Sequence, residues 1–297
     1  MRRLWASIRL PVFLVVTVLA FSAIEVIANP IRHLIDPFVL TFWRFLLGAV
    51  FLLPFALLGK TPLLYDVDRK AVLILTALGC LNVIVSMGAH AVCIKYAKAS
   101  TAAILIASNP IATNLLAWLI LGELLDARRM GALGIGFCGV VLITFQPSPG
   151  LDTPAGIVAG IVALLGFALY TVLSKDIVKR LGSLRVTVLS FFLALVVYFP
   201  VLLVSDVSIR PAAGLWPRLI LLGVIVSGVG YWTFFKALAD LPAGRASLLF
   251  FFKPPVSIIL AWFILKEAPS FVALLGSGLI MLGIVLDRKV PSNHLVS

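Results

Sequence analysis

Four ionisable side chains, Glu25, Arg44, His90 and Lys253, lie inside long apolar runs of the 297-residue chain. Ionisable groups at membrane depth are costly, and they mark proton relays, substrate sites or paired charges. Glu25 and Arg44 fall at comparable depth in two successive apolar runs. They read either as a structural ion pair ordering the first hairpin, or as a proton- or substrate-binding carboxylate with Arg44 as its counter-charge. Lys253 stands directly before Pro254-Pro255, and 144 positions earlier Asn109 stands before Pro110. Proline cannot donate to the preceding turn, so carbonyls near Ile106, Phe250 and Phe251 should lack their usual partners. Such groups are tolerated at membrane depth only where they face protein or a wet cavity. One turn further on, Thr113 matches Ser257. Both regions thus combine a polar residue, a helix break at Pro110 or at Pro254 and Pro255, and a hydroxyl. A kinked helix with a snorkelling lysine is the plainer alternative.

Asn82, Ser86 and His90 recur at i, i+4 and i+8. That spacing drifts only about 80° around an α-helix, so it predicts one polar stripe. The stripe serves either interhelical hydrogen bonding or a cavity wall with His90 as a candidate proton carrier. Ser227, Tyr231 and Phe235 make a more aromatic stripe, and Tyr170 adds another ring. One polar wall and one aromatic wall would suit an amphipathic solute such as an amino acid or an aromatic metabolite.

Other chemistries lack their residues. The three histidines, His33, His90 and His294, form no His-Glu-x-x-His motif, and no P-loop or G-x-S-x-G occurs. No pair of aspartates lies at membrane depth. Cys80, Cys93 and Cys138 have no metal-ligand spacing and read as packing residues. No metal, no cofactor and no enzymatic activity is expected. An intramembrane enzyme and a channel are the alternatives from other classes.

The elements that position these residues follow from composition. Apolar types make up 62% of the chain and charged types 12%, against roughly 45–50% and 25% in soluble domains. Spans of about 20 residues would use most of such a chain. Punctuation by polar and turn residues predicts an all-α polytopic membrane protein with ten transmembrane helices, near 10–29, 37–58, 71–95, 99–121, 127–145, 154–174, 184–205, 215–236, 243–266 and 268–287. The start, Met1-Arg-Arg-Leu-Trp before an apolar run, imitates a secretory signal. The run continues past Ala23 to Ala28, so it reads as the first helix rather than a cleaved leader.

The net charge is +12. The positive-inside rule accounts for it without nucleic acid. With a cytoplasmic N-terminus, sixteen of the 24 Lys and Arg fall on the cytoplasmic side and six on the other, Arg44 and Lys253 being intramembrane.

A shift of 144 residues lays Ala99–Glu123 on Ala243–Glu267 without a gap. Pro110 meets Pro254, Ala117-Trp118 meets Ala261-Trp262, Glu123 meets Glu267, and Gly134 and Gly139 meet Gly278 and Gly283. A shift of 146 lays Pro54 on Pro200. Residues 1–146 and 147–297 therefore read as two five-helix repeats. Five is odd, so the second repeat enters the membrane inverted, an arrangement of transporters with a midplane site and alternating access. The glycine-rich fifth and tenth helices read as scaffold.

Pro37 to Arg44, the Tyr96–Glu123 segment with its proline, Ala-Trp and Gly-Glu, and its repeat Leu241–Glu267 resemble the EamA-type drug/metabolite transporters. The resemblance covers nearly the whole chain. It implies an inner-membrane secondary transporter of small metabolites, often an exporter, acting as a monomer or homodimer with a small-molecule substrate and the bilayer as partners. A proton is the candidate coupling ion. Glu25 departs from the neutral residue expected in the first helix and leaves that coupling open. A lipid-linked sugar carrier or an importer of the same fold is the closest alternative.

Reporter fusions at the C-terminus should read as cytoplasmic. A reading on the far side would overturn the inverted repeat together with the topology.

Overall fold

Hydrocarbon offers no partners to a backbone, so a chain this apolar must satisfy its amides within each segment. Among the described residues every regular element is accordingly helical. The computed structural model describes residues 2–31, 33–59, 61–97, 99–144, 153–205, 207–256, 258–259 and 270–288; at 2–9, 25, 26, 29, 99, 100, 103 and 288 it describes the backbone alone.

The chain opens with α1 (Arg2–Ala28) and α2 (Pro37–Leu57), which pack against the Leu222–Gly230 region rather than closely on each other. Asp36 starts α2 by accepting hydrogen bonds from the Phe38 and Val39 amides, with Pro37 in the first turn where no donor is lost. Asp68 does the same for α3 (Arg69–Tyr96) through the Ala71 amide. Midway, α3 widens into a π-helical stretch over Leu81–Ser86. The next helix, α4, comes in two pieces, Ala99–Ala107 and Asn109–Leu121, interrupted at Ser108 just before Asn109-Pro110. α5 (Ala127–Thr144), α6 (Pro154–Leu181) and α7 (Ser183–Leu203) follow. α8 (Ala213–Asp240) carries a second π-helical stretch at Leu222–Gly230. α9 opens with Ala243–Ser247, tightens to a 3₁₀ stretch over Leu248–Phe252, and resumes at Lys253. α10 is Phe271–Arg288.

Seven stretches among the described residues are long and apolar enough to cross a membrane, and α1 and α10 add shorter apolar segments, Leu10–Ile24 and Phe271–Asp287. Exposed Leu, Val, Ile and Phe cover the outside of the bundle, as lipid contact requires. The chain is an all-helical polytopic membrane protein.

Close helix contacts rest on missing side chains. α5 and α10 meet at Gly139 and Gly276, where a Cβ on Gly139 would stand 2.5 Å from the Gly276 carbonyl oxygen. α2 and α8 meet at Gly48, where a Cβ would lie 2.8 Å from the Gly223 oxygen. The centre is aromatic instead. Tyr231 packs against Phe21, Phe45, Phe167 and Phe191 at centroid distances of 5.3, 5.5, 6.1 and 5.3 Å.

One end of the bundle is cross-linked by polar groups. α4 ends at Gly122, whose φ of +65° reverses the chain and presents Glu123. The Glu123 carboxylate accepts from Lys175 Nζ of α6 at 2.8 Å and from the Ala243 and Gly244 amides opening α9 at 2.6 and 3.1 Å. Asn114 Nδ2 donates to the Gly244 oxygen, and Asp287 of α10 pairs with Arg129 of α5 at 3.4 Å and Arg245 of α9 at 3.9 Å. Burial pushes the Glu123 carboxyl up, but the Lys175 ammonium and the two amides outweigh it and hold the group below its ordinary value of 4.5.

Two outcomes follow from these contacts. Gly139→Val should strip folded, monodisperse protein from size-exclusion profiles, whereas Gly131→Ala, with open space around its Cβ, should leave the profile unchanged. Glu123→Gln should lower thermal stability at neutral pH by about 1–3 kcal/mol, the lower half being favoured by partial solvent screening. A depressed carboxyl contributes stability above its unfolded pKa and loses it as pH falls through the folded one. The gap between wild type and Glu123→Gln should therefore close in acid below 4.5; a gap independent of pH would remove the charge from the explanation.

Candidate functional site

The breaks in α4 and α9, the π stretch of α8 and the part of α3 that follows its own π stretch contribute to the wall of one cavity. Its wall takes Phe21 and Ile24 from α1, Arg44 from α2, Met87 and His90 from α3, Ile106 and Asn109 from α4, Phe167 from α6, Val226 and Tyr231 from α8, and Phe250 and Lys253 from α9.

Each polar member is held by its neighbourhood. Asn109 sits at the first helical position after the break, where its Oδ1 accepts from Thr113 Oγ1 at 3.0 Å. Lys253 follows the 3₁₀ stretch, and its backbone oxygen accepts from Ser22 Oγ of α1 at 3.5 Å. Tyr231 OH donates to Asn82 Oδ1 at 3.2 Å. The Arg44 guanidinium lies 4.7 Å from the Phe45 ring centroid, is 6% exposed, and its Nε has no hydrogen-bond partner among the described residues. His90 shares the wall with Lys253 and Arg44. The apolar face is a ring cluster: Phe21 stacks on Phe250 at 5.7 Å and 19°, and Phe167 meets Phe250 edge-on at 5.2 Å.

A second cavity shares Ile24, Arg44, Met87 and His90 with the first and is lined also by Leu40, Thr41, Ala28, Pro37 and Lys95, toward the end of the bundle opposite Glu123. The two cavities adjoin at Ile24, Arg44, Met87 and His90, the second lying on the Lys95 side of the first.

The structure brings Arg44, His90, Asn109, Tyr231 and Lys253 to one wall. Thr113 stands behind Asn109 as its hydrogen-bond donor. Asn82 contacts the cavity only through Tyr231, and Ser86 donates to the Ala163 oxygen of α6 at 2.9 Å. The stripe of three therefore divides, because i→i+5 bonding over Leu81–Ser86 rotates the residues on either side relative to α-helical spacing. Tyr170 is fully buried behind the wall, 5.5 Å from Phe235 and 6.5 Å from Tyr231. Ser257 and the side chain of Glu25 lie outside the described residues, and with them the Glu25–Arg44 pair. Pro110 is buried at the α4 break, and Pro254 and Pro255 follow Lys253. Among the described residues no cluster of His, Cys, Asp or Glu could hold a metal ion.

Sequence reasoning passed over Phe21, Met87, Phe167 and Phe250 as wall residues. Phe250 carried a signal, since it ends the turn whose carbonyls Pro254 leaves open. The others are single apolar residues in apolar helices, without a pattern to separate wall from core.

A sequence model of the EamA-like transporter family matches the chain twice, at residues 9–145 and 154–286. A relative from Clostridium kluyveri named an uncharacterized transporter is 29% identical over 93% of this chain and 92% of its own. A probable terminal-alkyne amino-acid exporter from Streptantibioticus cattleyicolor is 25% identical over 65% of each chain. A crystal structure at 18% identity superposes with a TM-score of 0.79 over 95% of this chain and 98% of its own, which shows a common fold. Residues 9–145 and 154–286 together make up most of the sequence, and the chain belongs to the EamA-like transporter family.

Proposed function

We propose that this protein is a secondary active transporter that moves small amphipathic metabolites, amino-acid-like solutes foremost, outward across the inner membrane by alternating access. In this reading residues 1–146 and 147–297 are inverted five-helix repeats, ten transmembrane helices in all, related by a half-turn about an axis in the membrane plane, with both termini cytoplasmic.

The observation that carries the reading is a cavity built at backbone irregularities that recur in both halves. A shift of 144 lays the α4 interruption at Ser108 on the 3₁₀ stretch Leu248–Phe252, and the π stretch Leu81–Ser86 on the second half of Leu222–Gly230. Arg44, His90 and Asn109 come from the first half, and Phe167, Tyr231, Phe250 and Lys253 from the second. Broken helices around a shared site are how transporters expose polar backbone safely at midplane depth. The two family matches support the repeat. On the topology set by Lys and Arg, the Lys95 end is outer and the Glu123 end cytoplasmic, so this arrangement is outward-facing. The name of the Streptantibioticus cattleyicolor relative supports an amino-acid-like substrate and the outward direction. Two walls from different halves argue for transport over catalysis.

The test is flux of radiolabelled metabolites through the purified protein in proteoliposomes, with and without a pH gradient. Lys253→Met should assemble and elute as wild type yet carry only background flux, and Lys253→Arg should carry part of it, a wide planar group replacing a compact one. Wild-type flux through Lys253→Met would remove the lysine from the pathway. Absence of flux for every solute class would remove the transporter reading.

A further inference from the structure

Gly244, near the start of α9, is held by α4 at both its amide and its carbonyl. The Gly244 amide donates to Glu123 Oε2 at 3.1 Å, and the Gly244 oxygen accepts from Asn114 Nδ2 at 3.1 Å. The same Asn114 Nδ2 donates to the Pro110 oxygen at 2.7 Å, so one side chain joins the break in α4 to α9. Beside it the Ala243 amide donates to Glu123 Oε1, which also accepts from Lys175 Nζ of α6. The approach depends on glycine. A Cβ on Gly244 would collide with Asn114 Oδ1 and stand 2.6 Å from Arg129 Nη2.

These contacts fasten the second piece of α4, Asn109–Leu121, to the opening of α9, Ala243–Ser247. Both pieces lead from there to the chamber, α4 through Asn109 and α9 through Phe250 and Lys253. The side chains in between are sealed: Thr113 and Ala117 on α4, and Ala246 and Ser247 on α9, are fully buried. On the opposite side the chamber adjoins the second cavity, lined in part by Ala91 and Lys95.

We infer that Asn114, Glu123, Lys175 and Gly244 form the inner gate of the transporter proposed above, a latch between the two broken helices that must open before the chamber meets the cytoplasm. The inference rests on that reading. It makes Asn114 a residue of the transport cycle that touches neither cavity.

The latch is unequal between the halves. On the 144-residue shift Asn114 falls on Ile258, which has no side-chain donor, and Gly244 falls on Ser100. An arrangement with the roles of the halves exchanged therefore has no counterpart of the Asn114–Gly244 bond. The arrangement closed toward Glu123 holds one more polar contact than its mirror, which biases the empty protein toward it. Behind the latch, Asp287 of α10 pairs with Arg129 and Arg245, so α5 and α10 support the same end.

The test reads both sides of the chamber. Single reporters Ser247→Cys, between latch and chamber, and Ala91→Cys, in the second cavity, are placed in the full chain with Cys80, Cys93 and Cys138 changed to alanine. A bulky, water-soluble maleimide then labels each in lipid nanodiscs, where both faces of the bilayer meet the reagent. Asn114→Leu should raise the labelling rate of Ser247→Cys by roughly fivefold to tenfold, the size expected for one lost hydrogen bond, and lower that of Ala91→Cys. Lys175→Met should move both reporters in the same directions without touching the packing at Asn114, and decides the matter if Asn114→Leu does not fold. Unchanged labelling of Ser247→Cys in both variants overturns the gate. A rise at both reporters also overturns it, because that is general loosening rather than exchange of access. Metabolite flux in proteoliposomes separates the two readings. Reciprocal labelling without flux of any solute leaves the gate and removes transport; flux with unchanged labelling removes the gate and leaves transport.

Discussion

A backbone amide or carbonyl in hydrocarbon has nothing to bond with except its own helix, and the whole of this structure follows from where that rule is relaxed. Regular α-helix is kept along the lipid-facing lengths of α2, α5, α6 and α7. It is given up at Leu81–Ser86, Ser108, Leu222–Gly230 and Leu248–Phe252, all in helices that line the central chamber. A widened or interrupted turn exposes polar backbone, and protein or cavity must receive it. The chamber and the irregular turns therefore imply each other. The phenylalanines around Tyr231 fill the rest of the centre without demanding hydrogen bonds, and the Tyr231 hydroxyl finds its acceptor in Asn82.

Two kinds of polar group are buried here, and they are treated differently. At the Glu123 end, the carboxylate has three donors and Asp287 has two guanidinium neighbours, so the charges are matched across five helices. In the chamber, Arg44 and Lys253 share a wall on which no described acid appears. Placing such cations at helix centres costs about 2.5–3.5 kcal/mol each on insertion scales. Ionisable groups gathered on one buried cavity wall mark a candidate functional site.

How much of this was legible depends on how local the signal is. Hydropathy and prolines are local, so the helices, the Pro110 and Pro254 breaks and the 144-residue repeat can be read from the sequence. The basic side chains inside apolar runs stand out for the same reason, and Arg44, His90 and Lys253 lie on one wall. The stripe Asn82, Ser86, His90 was read with the wrong period, because nothing in Leu81–Ser86 announces π geometry. Nothing in the sequence beside Glu123 announces its donors. Its donors are 52, 120 and 121 residues away, a distance over which no spacing rule operates. Glu25 shows the reverse limit: its chemistry is plain from the sequence, and its partner depends on an orientation that spacing does not give.

The contrast between the two ends bears on how the proposed alternation would work. At the Lys95 end the elements are joined by hydrogen bonds between neutral groups, such as Thr153 Oγ1 to the Tyr96 oxygen and Tyr198 OH to the Phe38 oxygen, whereas the Glu123 end is joined by charge-assisted hydrogen bonds between α4, α6 and α9. Opening the Glu123 end would release the Glu123 carboxylate, Lys175 and the α9 amides to water at once. Partly exposed, these bonds are worth a few kcal/mol together rather than the much larger figure for a fully buried set. That magnitude suits a switch. Moving a two-state equilibrium from one side to the other takes about 5.5 kcal/mol of differential binding. A clamp much stronger than this would lock the bundle outward, and one much weaker would let both ends open together and dissipate any gradient. The polar clamp and the charged chamber are joined through α4 and α9, whose broken turns separate Glu123 and Ala243 at one end from Asn109 and Lys253 at the centre. A ligand bound beside Lys253 would act on the same short helix whose first amides hold Glu123, through the 3₁₀ stretch between them.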